Sequence, residues 1–113
     1  MTSRVAVRFA LIVLSCATAL PALGQYPNAA RDLASACFTC HGTEGNSVQG
    51  VPPSLAGRNA GELFQMMKDF QTGKRPATLM HQQARGYTDQ ELKLITGYFA
   101  SMRPTAPRLP AKP

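Results

Sequence analysis

The sequence predicts an all-α domain of three to four short helices. Three observations carry this prediction. Apolar residues recur at helical spacing in three separate stretches. Asparagine or threonine start signals, a glycine stop and a closing proline bracket those stretches. No segment alternates apolar and polar residues as a half-buried strand would. With 113 residues and no internal repeat, the chain holds one small domain.

Residues 1–24 read as an export signal rather than as part of that domain. Arg4 and Arg8 sit in an acid-free start, Phe9 to Leu20 is uncharged, and Ala22-Leu23-Gly24 supplies a small-residue cleavage site after Pro21. Cleavage after Gly24 is expected, leaving a mature chain from Gln25. The apolar run of about twelve residues falls short of the ~20 that span a bilayer, so an uncleaved anchor is the lesser reading, and no stable membrane insertion is expected after cleavage. Cys16 as a lipid-attachment site is disfavoured by the Val13-Leu14-Ser15 that precedes it. Export implies the periplasm, an oxidising compartment.

The first helix is expected from an N-cap at Asn28 to about Cys40, with Ala30, Leu33, Ala34 and Cys37 on its inward side. Residues 42–58, with four glycines and Pro52-Pro53, form a loop. Asn59 to Glu62 fits a capping box for a helix carrying Leu63, Met66, Met67 and Phe70, which Gly73 stops. Pro76 opens a short irregular segment through Met80 to Gly86. Thr88 to Glu91 is a cleaner capping box, opening a helix with Leu92, Ile95, Phe99 and Met102 in one stripe, which Pro104 ends. Prolines at 104, 107, 110 and 113 favour an extended polyproline II tail, read as solvated. The organisation is thus a signal (1–24), a domain (25–103) and a tail (104–113).

This domain lacks the material for its own core. Of the hydrophobic residues, 16 belong to the signal, and the remaining chain is correspondingly poor in them. Small domains of that kind usually need a staple. Three cysteines, one of them in the signal, exclude a disulfide framework. Cys37-Phe38-Thr39-Cys40-His41, however, is the C-x-x-C-H sequence of c-type haem attachment. Residues three apart share one side of a helical turn, so both thiols can add to the vinyl groups of one haem. His41 then falls over the ring face, where its imidazole can bind iron. A thioredoxin-like redox pair would need a preceding strand, and the run before Cys37 is alanine-rich and helical. A zinc site would need a second ligand pair, and His81 is the only other histidine. One motif implies one haem, and the haem is the missing core.

The sixth iron position falls to a residue further along. Methionine is the usual soft partner opposite histidine in electron-transfer haems. Met66 and Met67 lie on an apolar helical stripe where core packing is expected, and Met102 is near a helix end. Met80, in an irregular segment far enough from His41 for the chain to wrap to the other face, is the expected ligand. His81 is its rival and is otherwise an exposed polar residue. Arg58 and Arg75 are candidates to neutralise the haem propionates.

The stretches ACFTCHGTEG, PPSLAGR, FQTGKRPATLM and YTDQELKLITGYFASM follow one another over roughly residues 33–102. In this order they resemble a class I cytochrome c. More narrowly they resemble the cytochrome c4/c553 group and the haem subunit of flavocytochrome c sulfide dehydrogenase; GKRPATLM and GYTDQEL look most like the latter. The resemblance implies the class I cytochrome c fold, with short helices wrapped around one covalent haem c and the first and last helices crossing. It implies Cys37 and Cys40 as thioether anchors, His41 as proximal ligand and Met80 as distal ligand. It also implies Pro53 as the residue whose carbonyl accepts the other imidazole hydrogen. Cytochromes c4 and many such haem subunits carry two haem domains, whereas this chain carries one motif.

The function expected from this is a periplasmic mono-haem carrier of single electrons, not itself an enzyme. Its alternative is the cytochrome subunit of a FAD-containing sulfide dehydrogenase, accepting electrons from the flavin. A haem that binds small molecules through a displaceable Met80 is a third reading. Partners are redox proteins, a flavoprotein subunit or a terminal oxidase among them. Without the signal the chain has ten Lys/Arg against six Asp/Glu, a mild excess that would steer docking towards acidic patches. No basic block exceeds Lys74-Arg75 and tryptophan is absent, which argues against nucleic acid as a partner.

Overall fold

The computed structural model describes residues 28–105. The export signal, its cleavage site and residues 106–113 of the tail lie outside the described residues. Four helices make up the fold: α1 (Ala29–His41), α2 (Ala60–Thr72), α3 (Met80–Arg85) and α4 (Asp89–Ser101). A single 3₁₀ turn, Thr43–Gly45, follows α1. None of the described helices is long and apolar enough to cross a membrane.

The helix boundaries follow local chemistry, with three departures from the sequence expectation. Asn28 does precede α1, but its backbone (φ −114°, ψ 9°) is not extended, and its side chain makes no capping bond. Asn59 accepts from the Glu62 amide at 3.1 Å, which is only half of the anticipated capping box. Residues 80–85, expected to be irregular, form the helix α3. Thr88 and Glu91 make the full reciprocal box at the start of α4. Gly73 closes α2 in the left-handed conformation, φ 77°, that suits glycine. At Gly42, just after His41, a Cβ would stand 1.9 Å from the Asn46 carbonyl oxygen. Only glycine lets the chain turn there so soon after α1.

α1 and α4 cross and pack on each other, and α2 packs on α4. The buried cluster is small: Ala34 from α1, Leu63 from α2, Ile95 and Phe99 from α4. Phe38, Tyr98 and Phe99 stack around the crossing with ring centroids 5.5–6.2 Å apart. Such edge and tilted contacts are the favoured aromatic geometries. The stripe expected on α4 is buried as far as Phe99, while Met102 caps the helix and is half-buried.

The loop between α1 and α2 is closed on itself. Leu55 and Ala56 amides both donate to the Gly45 carbonyl, at 2.7 and 3.1 Å. The Ser47 amide donates to Ser54 Oγ at 3.0 Å. The loop is also tied to α4, through Gly57 N–H to the Phe99 carbonyl at 2.9 Å. Asn46 completes the closure: its Nδ2 donates to the Arg103 carbonyl and its Oδ1 accepts from the Thr105 amide. The start of the tail is therefore fastened to the domain as far as Thr105, beyond the boundary at residue 103 read from the sequence.

Candidate functional site

Where a domain of this size should have its core, it has a cavity of about 470 Å³. The space is partly open to solvent and of the size of a ligand pocket, which makes it the candidate binding site. All five residues singled out from the sequence line it: Cys37, Cys40 and His41 from the end of α1, Pro53 from the loop, and Met80 from the start of α3.

α1 delivers the first three residues together. Its last turn presents Cys37, Cys40 and His41 to one space, both thiols being free. Burial, reinforced by neighbouring Cys40, pushes the Cys37 thiol up from its ordinary pKa. It is thus held protonated near neutral pH. His41 Nδ1 lies 2.8 Å from the Pro53 carbonyl oxygen. A carbonyl only accepts, so Nδ1 carries a proton and donates, which leaves Nε2 as the nitrogen that can turn a lone pair to the cavity. A metal-ligating histidine has this arrangement, with the second nitrogen fixed by a backbone acceptor. The ties of the loop to Gly45 and Phe99 hold Pro53 in place for it.

The remaining walls are mostly apolar. Met66, Met67 and Phe70 line the cavity from α2, so the stripe expected to enter the protein core instead faces this space. Helical periodicity identifies an apolar face but not what covers it. Met66 Sδ accepts from Arg58 Nη2 at 3.8 Å, which engages that sulfur. Met102 is not among the lining residues, and neither is His81. The His81 ring instead donates from Nε2 to the Arg75 carbonyl at 3.1 Å and meets the Phe70 ring edge-on.

Arg58 and Arg75 both reach the cavity, and among the described residues neither forms an ion pair with a carboxylate. The Arg75 guanidinium lies 5.6 Å from the Phe70 ring centroid. Two cations without acidic partners at an otherwise apolar site suit a ligand with an apolar body and anionic groups. Tyr87 is a lining residue that the sequence did not flag. It stands just before a helix cap, where nothing marks it as more than a turn residue. Burial, then Cys37 and then Glu91, raise its pKa, so it faces the cavity as a neutral phenol.

Among the described residues there is no group of three or more histidines, cysteines and acids able to hold a metal ion. A zinc reading of the two cysteines therefore has no ligand set. A covalent haem does fit: two thiols at the right spacing, an imidazole with Nε2 available, a thioether sulfur from another element, and apolar walls with cations. Cys37 and Cys40 would hold the ring, and His41 and Met80, which line the same cavity, would be the candidate iron ligands.

Comparison with known proteins gives the same answer. No protein-family model matches the chain. The chain is 40% identical over 70 residues to the cytochrome subunit of sulfide dehydrogenase from Chlorobaculum tepidum, covering 62% of this chain and 63% of that protein. It is 39% identical over 70 residues to a cytochrome c4 of Pseudomonas aeruginosa, covering 62% of this chain but 35% of that protein. It is 33% identical over 76 residues to cytochrome c-554(548) of Halomonas halodenitrificans, covering 65% of this chain and 92% of that protein. The match thus spans less than two thirds of the first two relatives and nearly all of the third.

Proposed function

This chain belongs to the class I cytochromes c, and on that premise we propose that it carries single electrons between redox partners on one covalent haem c. The observation that supports this most is the arrangement around His41. Its Nδ1–H is committed to the Pro53 carbonyl, and its Nε2 is left for a cavity that Cys37, Cys40 and Met80 also line. When bound, haem supplies a one-electron redox centre. Cys37 and Cys40 would hold it, His41 and Met80 would be its iron ligands, and Pro53 would keep the imidazole in place through the Nδ1–H bond. With both ligands in place the iron would have no position for a substrate, which suits an electron carrier rather than an enzyme. Arg58 and Arg75, which line the same cavity, would be the cations to neutralise the propionates. The export reading of residues 1–24 supports a periplasmic location, where partner proteins are met by brief docking.

The test is the weak red-end absorption band of the oxidised protein, which reports sulfur on iron. Met80→Ala should abolish it, and His81→Ala should leave it in place. Persistence of the band in Met80→Ala would refute Met80 as ligand.

The 40% identity to the sulfide dehydrogenase cytochrome subunit favours a second reading, in which a flavoprotein is the electron donor. Purification from the native periplasm separates the two. A stoichiometric flavoprotein that travels with the haem supports the subunit, and a haem protein that elutes alone supports the free carrier.

A further inference from the structure

α3 has only six residues, Met80 being the first of them. A helix this short is far below the length that holds together in water by itself. Its position, and with it the position of Met80, must come from outside. Packing on α2 supplies part of it, together with two side-chain tethers and a longer bond from Arg85 Nε to the Gln71 carbonyl at 3.5 Å, all to α2 or to the link that follows.

The stronger tether is Gln71. Its Nε2 donates to the Ala84 carbonyl at 2.8 Å and to the Tyr87 carbonyl at 2.9 Å. Its Oε1 accepts from Lys68 Nζ at 2.8 Å. This orientation of the amide is fixed by its partners, since two carbonyls can only accept and an ammonium can only donate. Lys68 in turn pairs with Asp89, the first residue of α4, at 2.6 Å. One side chain thus ties the last carbonyls of α3 and the turn beyond it to α2. Ala84 itself is fully buried, so a substitute donor from water cannot easily replace the amide. The second tether is His81, whose bond to the Arg75 carbonyl holds the other end of α3.

We propose that Gln71 is the positioning residue for Met80: by fastening the C-terminal end of α3 and the following turn to α2, it sets where the Met80 sulfur stands in the cavity. The proposal rests on the reading of Met80 as an axial ligand. Without the Gln71 side-chain bonds, α3 keeps the His81 bond, the long Arg85 Nε bond to the Gln71 carbonyl at 3.5 Å, the burial of Ala84 and its packing on α2. It should then leave the cavity wall before the α1–α4 core unfolds.

The experiment uses the haem-loaded protein in four forms: wild type, Met80→Ala, Gln71→Leu and Gln65→Leu. Gln71→Leu keeps the bulk and removes the donor. Gln65 is an exposed glutamine of the same helix that bonds only to Asp69, and it serves as the control. Three signals are followed in rising denaturant: the red-end band, the far-ultraviolet helical signal, and carbon monoxide binding by the reduced form. In Gln71→Leu the red-end band should disappear at a lower denaturant concentration than the helical signal. Carbon monoxide should bind many-fold faster than to wild type. Gln65→Leu should behave as wild type.

Loss of band and helix together in Gln71→Leu, with carbon monoxide binding unchanged, would overturn the proposal. A band that survives in Met80→Ala would instead overturn the ligand reading beneath it. Should Gln71→Leu fail to take up haem, Lys68→Met frees the same amide from its orienting partner and is read by the same signals and outcomes.

Discussion

Replacing Gly45 by alanine should be among the most damaging single changes outside the ligands, although the residue touches no haem-binding atom. Gly45 has φ +79°, and a Cβ built there would stand 2.6 Å from Cδ1 and 2.9 Å from Cε1 of Phe99. Phe99 is 1% exposed and lies within the buried cluster, so its ring has no room to retreat. The left-handed backbone costs an L-residue roughly 1–2 kcal/mol. Forcing extra volume into a packed core adds about 1–3 kcal/mol. The sum, about 2–5 kcal/mol, is a large part of the 5–15 kcal/mol typical of a whole domain. Urea unfolding of the haem-loaded protein measures it. With a slope of about 1–3 kcal/mol per molar for a small protein, the midpoint should fall by about 1 M or more. Gly97→Ala is the control: it lies in α4, where a new Cβ meets nothing within 4 Å. It should stabilise by about 0.5–1 kcal/mol. If Gly45→Ala shifted the midpoint no more than Gly97→Ala does, the reasoning from the Phe99 contact would be wrong.

Two further outcomes are expected. Hydrogen bonds from the Thr88 backbone and hydroxyl hold the Glu91 carboxyl below its usual pKa. A lowered folded-state pKa stabilises at pH above the unfolded value and is lost as pH falls through the folded one. Stability should therefore decline on acidification below the ordinary carboxylate range, and Glu91→Gln should flatten that part of the profile in unfolding midpoints taken across pH. Separately, a Cys37→Ser/Cys40→Ser chain, unable to attach haem, must leave or collapse a cavity of about 470 Å³. Its mostly apolar walls would then face water, in a domain whose own buried cluster is small. Such a chain should show no cooperative thermal transition by circular dichroism, and a sharp transition would contradict the assignment of the haem as core.

What could be read in advance was local chemistry. The C-x-x-C-H run, the Thr88 capping box and the Gly73 stop each lie within a few residues, and each was legible because its partners are neighbours in sequence. The stripe on α4 was legible because Leu92, Ile95 and Phe99 share one face and pack on protein. The α2 stripe was equally visible, but its destination was not. Met66, Met67 and Phe70 have the same spacing whether they meet another helix or a ring. The helical state of residues 80–85 was hidden because six residues are too few for an apolar period to show, and the Gln71 bond that fastens the segment comes from 13 residues away. Asn46 and Gln71 gave no signal for the same reason, since their partners stand up to 59 and 16 residues away.

The two sides of the cavity are consequently built to different standards. On the His41 side, Cys37, Cys40 and His41 belong to a 13-residue helix that also supplies Ala34 to the buried cluster. The loop bearing Pro53 is bonded to Gly45, and onward to the Phe99 carbonyl. To move that side, the α1–α4 crossing has to move with it. On the Met80 side, a six-residue helix hangs from side chains of α2 and its following turn. Regions held by few buried contacts open at lower free energy than the core. The Met80 side should thus be the first to part under stress, with the His41 side still in place. On the proposed function, the residues that would hold the haem, Cys37 and Cys40, and the His41–Pro53 contact fall on the side least able to open.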